Sequence, residues 1–218
     1  MDADQLMGAG EDEVNGIVFR QIDAAMAPQL AAIELGTFPN VDPDSLYDEE
    51  SLRQLATVFP DGCYVAFDGQ RPVGLGVGIL LDFDFDHVDH EASEVYNAHD
   101  PNGEWYYGTT IAVLPEYRGR GIGNELYKRR KDVVRRLNKR GIVAGGVLPG
   151  YAEHKDTMSA EEYLEKVSAG ELYDPTLTFQ IENGFEARAV IHDYVKDESV
   201  GNNACLIVWD NPDYTPSD

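Results

Sequence analysis

The chain contains no run of 18 apolar residues, so no segment reads as a helix that spans a bilayer. Met1 to Glu13 has neither a basic leader nor an apolar stretch, which argues against a secretory signal. Acidic and glycine-containing, residues 1–13 read as a disordered tail. Cysteine is nearly absent. Cys63 and Cys205 each lie in an apolar, strand-like run and fit neither a zinc spacing nor a disulfide framework, so both are expected as buried free thiols. The cytoplasm is the expected compartment. Cations are scarce too: 17 Lys+Arg stand against 40 Asp+Glu, a net charge of −23. That balance argues against binding nucleic acid or an anionic membrane through the bulk surface. Lysine is the rarer cation, 6 against 11 Arg, and such an Asp-rich, Lys-poor surface suits a protein that works in high salt.

The few cations are not spread evenly. Residues 118–140 hold ten of the 17 and only two acids, Glu125 and Asp132, so that segment is +8 and the remainder is −31. The segment opens on Arg118-Gly119-Arg120-Gly121-Ile122-Gly123, where a strand-like run (Tyr106 to Val113) meets a helix-like run (Asn124 to Lys139). Glycines allow a tight turn and a close approach to a ligand. A helix N-terminus aims free N–H groups and a positive dipole end at the same place, which makes an anion site. The helix carries the apolar stripe Ile122, Leu126, Val133 and Leu137, so it packs on a core rather than lying in a nucleic-acid groove.

The rest of the chain punctuates clearly. Strands are expected over 17–22, 63–67, 72–81, 106–113, 142–148, 185–191 and 204–209. Asp23 is a cap for a first helix with Met26, Leu30, Ile33 and Leu35 on its apolar face. A second helix over 48–58 has Leu52, Leu55 and Val58 on one face. Ser159 with Glu162 makes a capping box, Gly170 a stop, and Asp174-Pro175 starts another short helix. Residues 82–103 form an acidic loop. Asp84, Asp86, His87, Asp89, His90, His99 and Asp100 crowd it at no spacing of a closed metal site, so it reads as solvated. It also reads as a wall that attracts a cationic amine. The expectation is one domain over 14–211, a helical insertion at 149–173 and a polar tail at 212–218.

In this element order, with Val113-Leu114-Pro115-Glu116-Tyr117 leading into Arg118-x-x-Gly121-x-Gly123 and with Asn183-Gly184-Phe185 further on, the chain resembles the GNAT superfamily of acyl-CoA-dependent N-acyltransferases. Residues 149–163 are similar to a subgroup whose GNAT domain is found fused to a carbon–nitrogen hydrolase; this chain would be a stand-alone relative. The resemblance implies an α/β fold: a mixed, mostly antiparallel seven-stranded sheet with helices on both faces and a splay between the fourth and fifth strands. It implies acetyl-CoA as co-substrate, no metal, and a small-molecule or protein amine as acceptor, with a homodimer as the usual assembly. Backbone groups of Arg118, Gly119, Arg120, Gly121, Ile122 and Gly123 would hold the pyrophosphate, and those of Ile111, Ala112 and Val113 the pantetheine arm. Arg129 and Arg130 would meet the 3′-phosphate.

For catalysis the resemblance nominates Glu104, just before the fourth strand, as the base. Many members carry a tyrosine four residues before the glycine of the Gly-Phe pair, as the acid for the leaving thiolate. Here that position is Gln180, so Tyr173 or Tyr151 would replace it, or the thiolate leaves unassisted. The alternative is a module that binds acyl-CoA and transfers nothing. His154, near the end of the fifth strand, reads as structural.

Overall fold

The computed structural model describes residues 12–216. Eight strands form one sheet in the order β1-β2-β3-β4-β5-β6-β8-β7. They are β1 (Asp12–Val14), β2 (Ile17–Gln21), β3 (Tyr64–Asp68), β4 (Arg71–Leu81), β5 (Trp105–Val113), β6 (Gly141–Val147), β7 (Glu186–Ile191) and β8 (Ala204–Asp210). The additional strand is β1, which pairs antiparallel with β2 through a turn whose Asn15 and Gly16 both have positive φ. The tail expected over 1–13 lies outside the described residues as far as residue 11, and Asp12 and Glu13 enter β1.

All neighbouring strands run antiparallel except β5 and β6. Those two pair only from Trp105↔Gly141 to Gly108↔Ala144. Beyond that point β5 stays with β4 as far as Val113, and β6 stays with β8 as far as Val147. The two strands therefore diverge into the expected V. Helices α1 (Ala27–Thr37) and α2 (Glu49–Val58) cover one face of the sheet. Helices α4 (Ile122–Arg136), α5 (Ala160–Ser168) and α6 (Leu177–Glu182) cover the other. A four-residue helix, α3 (Ala92–Val95), interrupts the acidic loop, which the sequence did not signal.

A bulge on β5 shapes the V. Val77 pairs with Thr110 and Gly78 with Gly108, so Thr109 is an extra residue. An inserted residue reverses the alternation of side chains beyond it. Tyr107 and Ala112, an odd number of positions apart, accordingly share the α1 side, while Tyr106 and Ile111 share the α4 side.

Two helical stripes differ from expectation. In α1 the buried positions are Ala27, Leu30, Ile33, Glu34 and Thr37, and Leu35 is 52% exposed. In α2 Leu52 and Leu55 are buried and Val58 is exposed. Asp23 caps the short 3-10 turn ahead of α1, its Oδ1 accepting from Ala25 N at 2.7 Å. Residues 149–177 are held together by Asp174, which is fully buried and accepts from Tyr163 Oη (3.0 Å), Gly150 N (2.9 Å), Thr176 N and Leu177 N. Both cysteines are buried free thiols, and burial pushes each up to about 12. No helix among the described residues is long and apolar enough to cross a membrane.

Candidate active site

At the mouth of the V the glycine-rich turn ends at Gly121, the N-cap of the 15-residue helix α4. Gly119 and Gly121 have φ of +74° and +81°, in the left-handed region that L-residues avoid. A Cβ at either would meet nothing within 4 Å, so the space beside this backbone is open. No side chain caps α4, which leaves its first N–H groups for a ligand. Arg118, Gly119, Gly121, Ile122 and Gly123 line the cleft, whereas the Arg120 guanidinium lies over the Tyr117 ring, 4.6 Å from its centroid. Gly123 has a second reason to be glycine: a Cβ there would stand 2.9 Å from Phe179 of α6. The Asn-Gly-Phe turn closes the same junction, with Asn183 Nδ2 donating to Asn124 Oδ1 at 3.0 Å.

The cleft is large, about 820 Å³, and runs through the V from one face of the sheet to the other. Thr109, Thr110 and Ile111 of β5 form one wall and Gly145, Gly146 and Val147 of β6 the opposite one. Of the three residues expected along the cofactor arm, Ile111 and Val113 line the cleft. The Ala112 side chain turns into the α1-side core.

Arg130 lies away from the glycine-rich turn. It is 2% exposed and sits at the apex of the V, where a Cβ on Gly108 would come within 2.7 Å of its Nη1. Its Nη2 donates to Val77 O at 2.6 Å and to Thr110 O, so it braces the bulge. Arg129 lies over the rings of Phe19 and Tyr64 and pairs with Glu125 at 3.2 Å, and it does not line the cleft. Neither arginine presents a free guanidinium to the cleft mouth, where the resemblance would put the 3′-phosphate: Arg130 is buried and Arg129 lies outside the cleft lining.

The nominated acid–base residues are scattered. Glu104 is exposed at the opposite end of β5, five residues and roughly 17 Å of extended strand from Thr109. There it pairs with Arg140 at 2.7 Å, and it does not line the cleft. Tyr151 is buried among the α5-side aromatics, with its hydroxyl donating to Met158 O at 3.0 Å, away from the cleft. Tyr173 does line the cleft and is 71% exposed at its rim. Gln180 is buried in the cleft wall with its Oε1 lacking a partner, and Gly146 makes room for it, since a Cβ there would stand 2.4 Å from Oε1.

One carboxylate in the cleft was not nominated. Glu34 is 1% exposed, lines the cleft on the α1 side, and has an Oε1 without a hydrogen-bond partner. Burial pushes it up to about 7, against the opposing effect of hydrogen bonds with the Thr110 side chain and the Tyr47 backbone. The signal was available: Ala27, Leu30, Glu34 and Thr37 fall at helical spacing, so an acid stands within an apolar stripe.

The acidic loop contributes Ala92 and Tyr96 to the cleft, not its charges. Its histidines are separated: His87 pairs with Asp84 (2.8 Å), His90 Nε2 contacts Tyr107 Oη (2.7 Å), and His99 Nδ1 accepts from Leu80 N (3.1 Å). No group of three ligands suited to a metal occurs among the described residues. His154 packs against the Tyr163 ring, outside the cleft.

Comparison with known proteins agrees with this geometry. The model of the acetyltransferase (GNAT) family matches residues 27–150. The probable hydrolase YhcX of Bacillus subtilis is 33% identical over 207 residues, which cover 92% of this chain and 40% of that protein. The present chain thus spans well under half the length of that relative. The uncharacterized N-acetyltransferase YkwB of the same organism is 29% identical over 196 residues, 85% of each chain. Among solved structures, the GNAT-like decarboxylase GphF in complex with isobutyryl-CoA superposes with a TM-score of 0.74 at 19% identity, over 88% of this chain and 98% of that one. At that identity the likeness is one of fold.

Proposed function

Because this chain belongs to the acetyltransferase (GNAT) family, we propose that it moves an acetyl or other small acyl group from CoA to a primary amine. The amine attacks the thioester directly. The observation that carries the reading is the V between β5 and β6, which opens from Gly108 and Ala144 and ends at the uncapped N-terminus of α4. Acyl-CoA has the shape and chemistry of that cleft. Its pyrophosphate suits the N–H groups of residues 118–123 and the dipole of α4. Its amide-bearing arm suits an unpaired strand edge, because β5 beyond Gly108 has lost its partner on the β6 side.

The reacting carbonyl then falls near the apex, where backbone N–H groups of the bulged β5 can polarise it and stabilise the tetrahedral oxyanion. Arg130 adds a buried positive charge at the same place. The orphaned Gln180 Oε1 is an acceptor suited to an amide N–H of the cofactor arm, not an acid. Position 180 therefore supplies no proton to the thiolate. YkwB, matched over 85% of both chains and named an N-acetyltransferase, supports an amine acceptor, and the GphF complex supports a CoA thioester in a cleft of this fold.

Gln180 in place of the usual tyrosine favours one second reading, a module that holds acyl-CoA without transferring its acyl group. Mass spectrometry separates the two. Incubation with acetyl-CoA and a panel of primary amines should yield acetylated amine and free CoA in equal amounts. Retention of acetyl-CoA with no acetylated product on any amine would establish the module.

A further inference from the structure

We propose that Glu34 is the base that receives the acceptor's proton, and that its pocket takes a primary amine with an apolar body and no carboxylate. The inference rests on the acyl-transfer reading above and adds to it the base and the class of acceptor.

Glu34 lies almost wholly out of solvent yet faces the cleft, with Oε1 unpartnered. Thr37, nearly one turn further along α1, faces the same cleft, is also buried, and has an unpartnered Oγ1. An unsatisfied buried polar atom costs about 1–3 kcal/mol, so two on one helix face call for a ligand that satisfies them. Glu34 Oε1 accepts, the Thr37 hydroxyl can accept as well as donate, and an ammonium offers three donors and no acceptor. The walls around them are apolar or aromatic: Phe38, Val41, Leu46, Ala92, Tyr96 and Val195.

The charge nearest Glu34 disfavours a carboxylate there. The titratable groups that face Glu34 are Tyr47, from the segment joining α1 to α2, and Tyr96, which follows α3. Both phenols are held neutral by burial. Asp197, buried in the same wall, adds negative charge. Two cations line the cleft among the described residues. Arg130 comes from α4 on the opposite face, and Arg118 stands exposed at the rim, turned toward the carbonyls of Val113 and Thr37. An amino acid would bring its carboxylate in beside Glu34, where like charges repel.

The ammonium enters and gives one proton to the Glu34 carboxylate, leaving a neutral amine. Its nitrogen attacks the thioester carbonyl carbon, forming the C–N bond. The C–S bond breaks, the thiolate takes the second nitrogen proton, and CoA leaves as the thiol with the amide. Glu34 returns its proton to solvent. A carboxyl near neutrality suits this exchange, since a good fraction is ionised at working pH and the carboxylate is basic enough to take a proton.

The test is free-thiol release from acetyl-CoA with phenethylamine, hexylamine and phenylalanine, on the wild type and on Glu34→Gln, over about pH 6–9. Acetyl-CoA binding is followed by calorimetry and folding by thermal melts. Expected are kcat/KM at least ~10-fold higher for phenethylamine than for phenylalanine, and a loss of about 10²–10⁴-fold with Glu34→Gln together with loss of the acid limb. The variant should bind acetyl-CoA as the wild type does, because Glu34 lies across the sheet from the phosphate turn. Equal or better use of phenylalanine, full turnover by Glu34→Gln, or no turnover of either carboxylate-free amine by a wild type that binds acetyl-CoA overturns the inference. Failure of the wild type to bind acetyl-CoA overturns the acyl-transfer reading itself.

Discussion

Arg130 reaches from α4 across to β4, where its Nη2 donates to the carbonyl oxygen of Val77 at 2.6 Å. The same nitrogen serves Thr110 O, on the far side of the bulge. A guanidinium this deeply buried needs such partners, and a bulge that strips carbonyls from their ladder needs such a donor. Gly108 leaves it the space. The bulge and the V-shaped cleft are therefore held by a residue that belongs, by sequence, to the basic helix.

Replacing Arg130 by Met keeps much of the packing and removes the donor. Thr110 O would lose that donor and Val77 O would keep the longer bond from Thr109 Oγ1, at 3.2 Å. The expected loss is about 2–3 kcal/mol of unfolding free energy, measured by urea denaturation. A change under about 0.5 kcal/mol would show that the bulge does not depend on it.

Glu34 ties stability to pH. Its folded-state value is raised to about 7 from 4.5, so the folded protein favours the protonated form. Stability from this group is fully present below the unfolded value and is lost as pH rises through about 7, by roughly 3 kcal/mol. Tyr47 and Tyr96, the titratable groups that face it, stay neutral throughout this range. Glu34→Gln should be more stable than the wild type by about 3 kcal/mol at about pH 8.5, and by under about 1 kcal/mol at about pH 5. Parallel stability curves across that range would contradict the buried, raised carboxyl.

Much of this was legible in the sequence, for reasons that particular residues show. Positive-φ turns advertise themselves as glycine, so Gly119, Gly121 and Gly184 marked the turn ahead of α4 and the entry to β7. The succession of strands after β1 along the chain followed from apolar runs and their breakers. The bulge left no trace beyond two adjacent threonines, because an inserted residue changes pairing and not composition. Arg130 looked like any of its basic neighbours, since only tertiary packing separates a buried guanidinium from a solvated one. Glu104 was placed by its closeness to the start of β5, yet the V opens at the strand's other end. Glu34 was hidden by Leu35, the more apolar neighbour, although the spacing from Leu30 pointed to residue 34.

The surface charge predicts a salt response. With a net charge of −23, self-repulsion is screened as the Debye length falls from ~10 Å at about 0.1 M salt to ~3 Å at about 1 M. We propose that the protein is suited to high salt, and its Tm should rise steadily with KCl over that range. A flat or falling Tm would sink the proposal.

Gly121→Asp probes the phosphate turn. The left-handed φ of +81° is tolerated by Asp at about 1–2 kcal/mol, and a Cβ there meets nothing, so the fold should survive. The new carboxylate would occupy the anion site and repel a phosphate. Acetyl-CoA affinity should fall by at least ~10-fold, about 1.4 kcal/mol.

If the V between β5 and β6 delivers an acyl group from CoA to an amine, free-thiol release from acetyl-CoA with phenethylamine will show it when the wild type and Gly121→Asp are followed side by side. Expected is amine-dependent release matched by acetylated product in the wild type, and little in the variant at the same acetyl-CoA concentration. Release that is independent of amine, or equal in the two proteins, would rule out acyl transfer through this cleft.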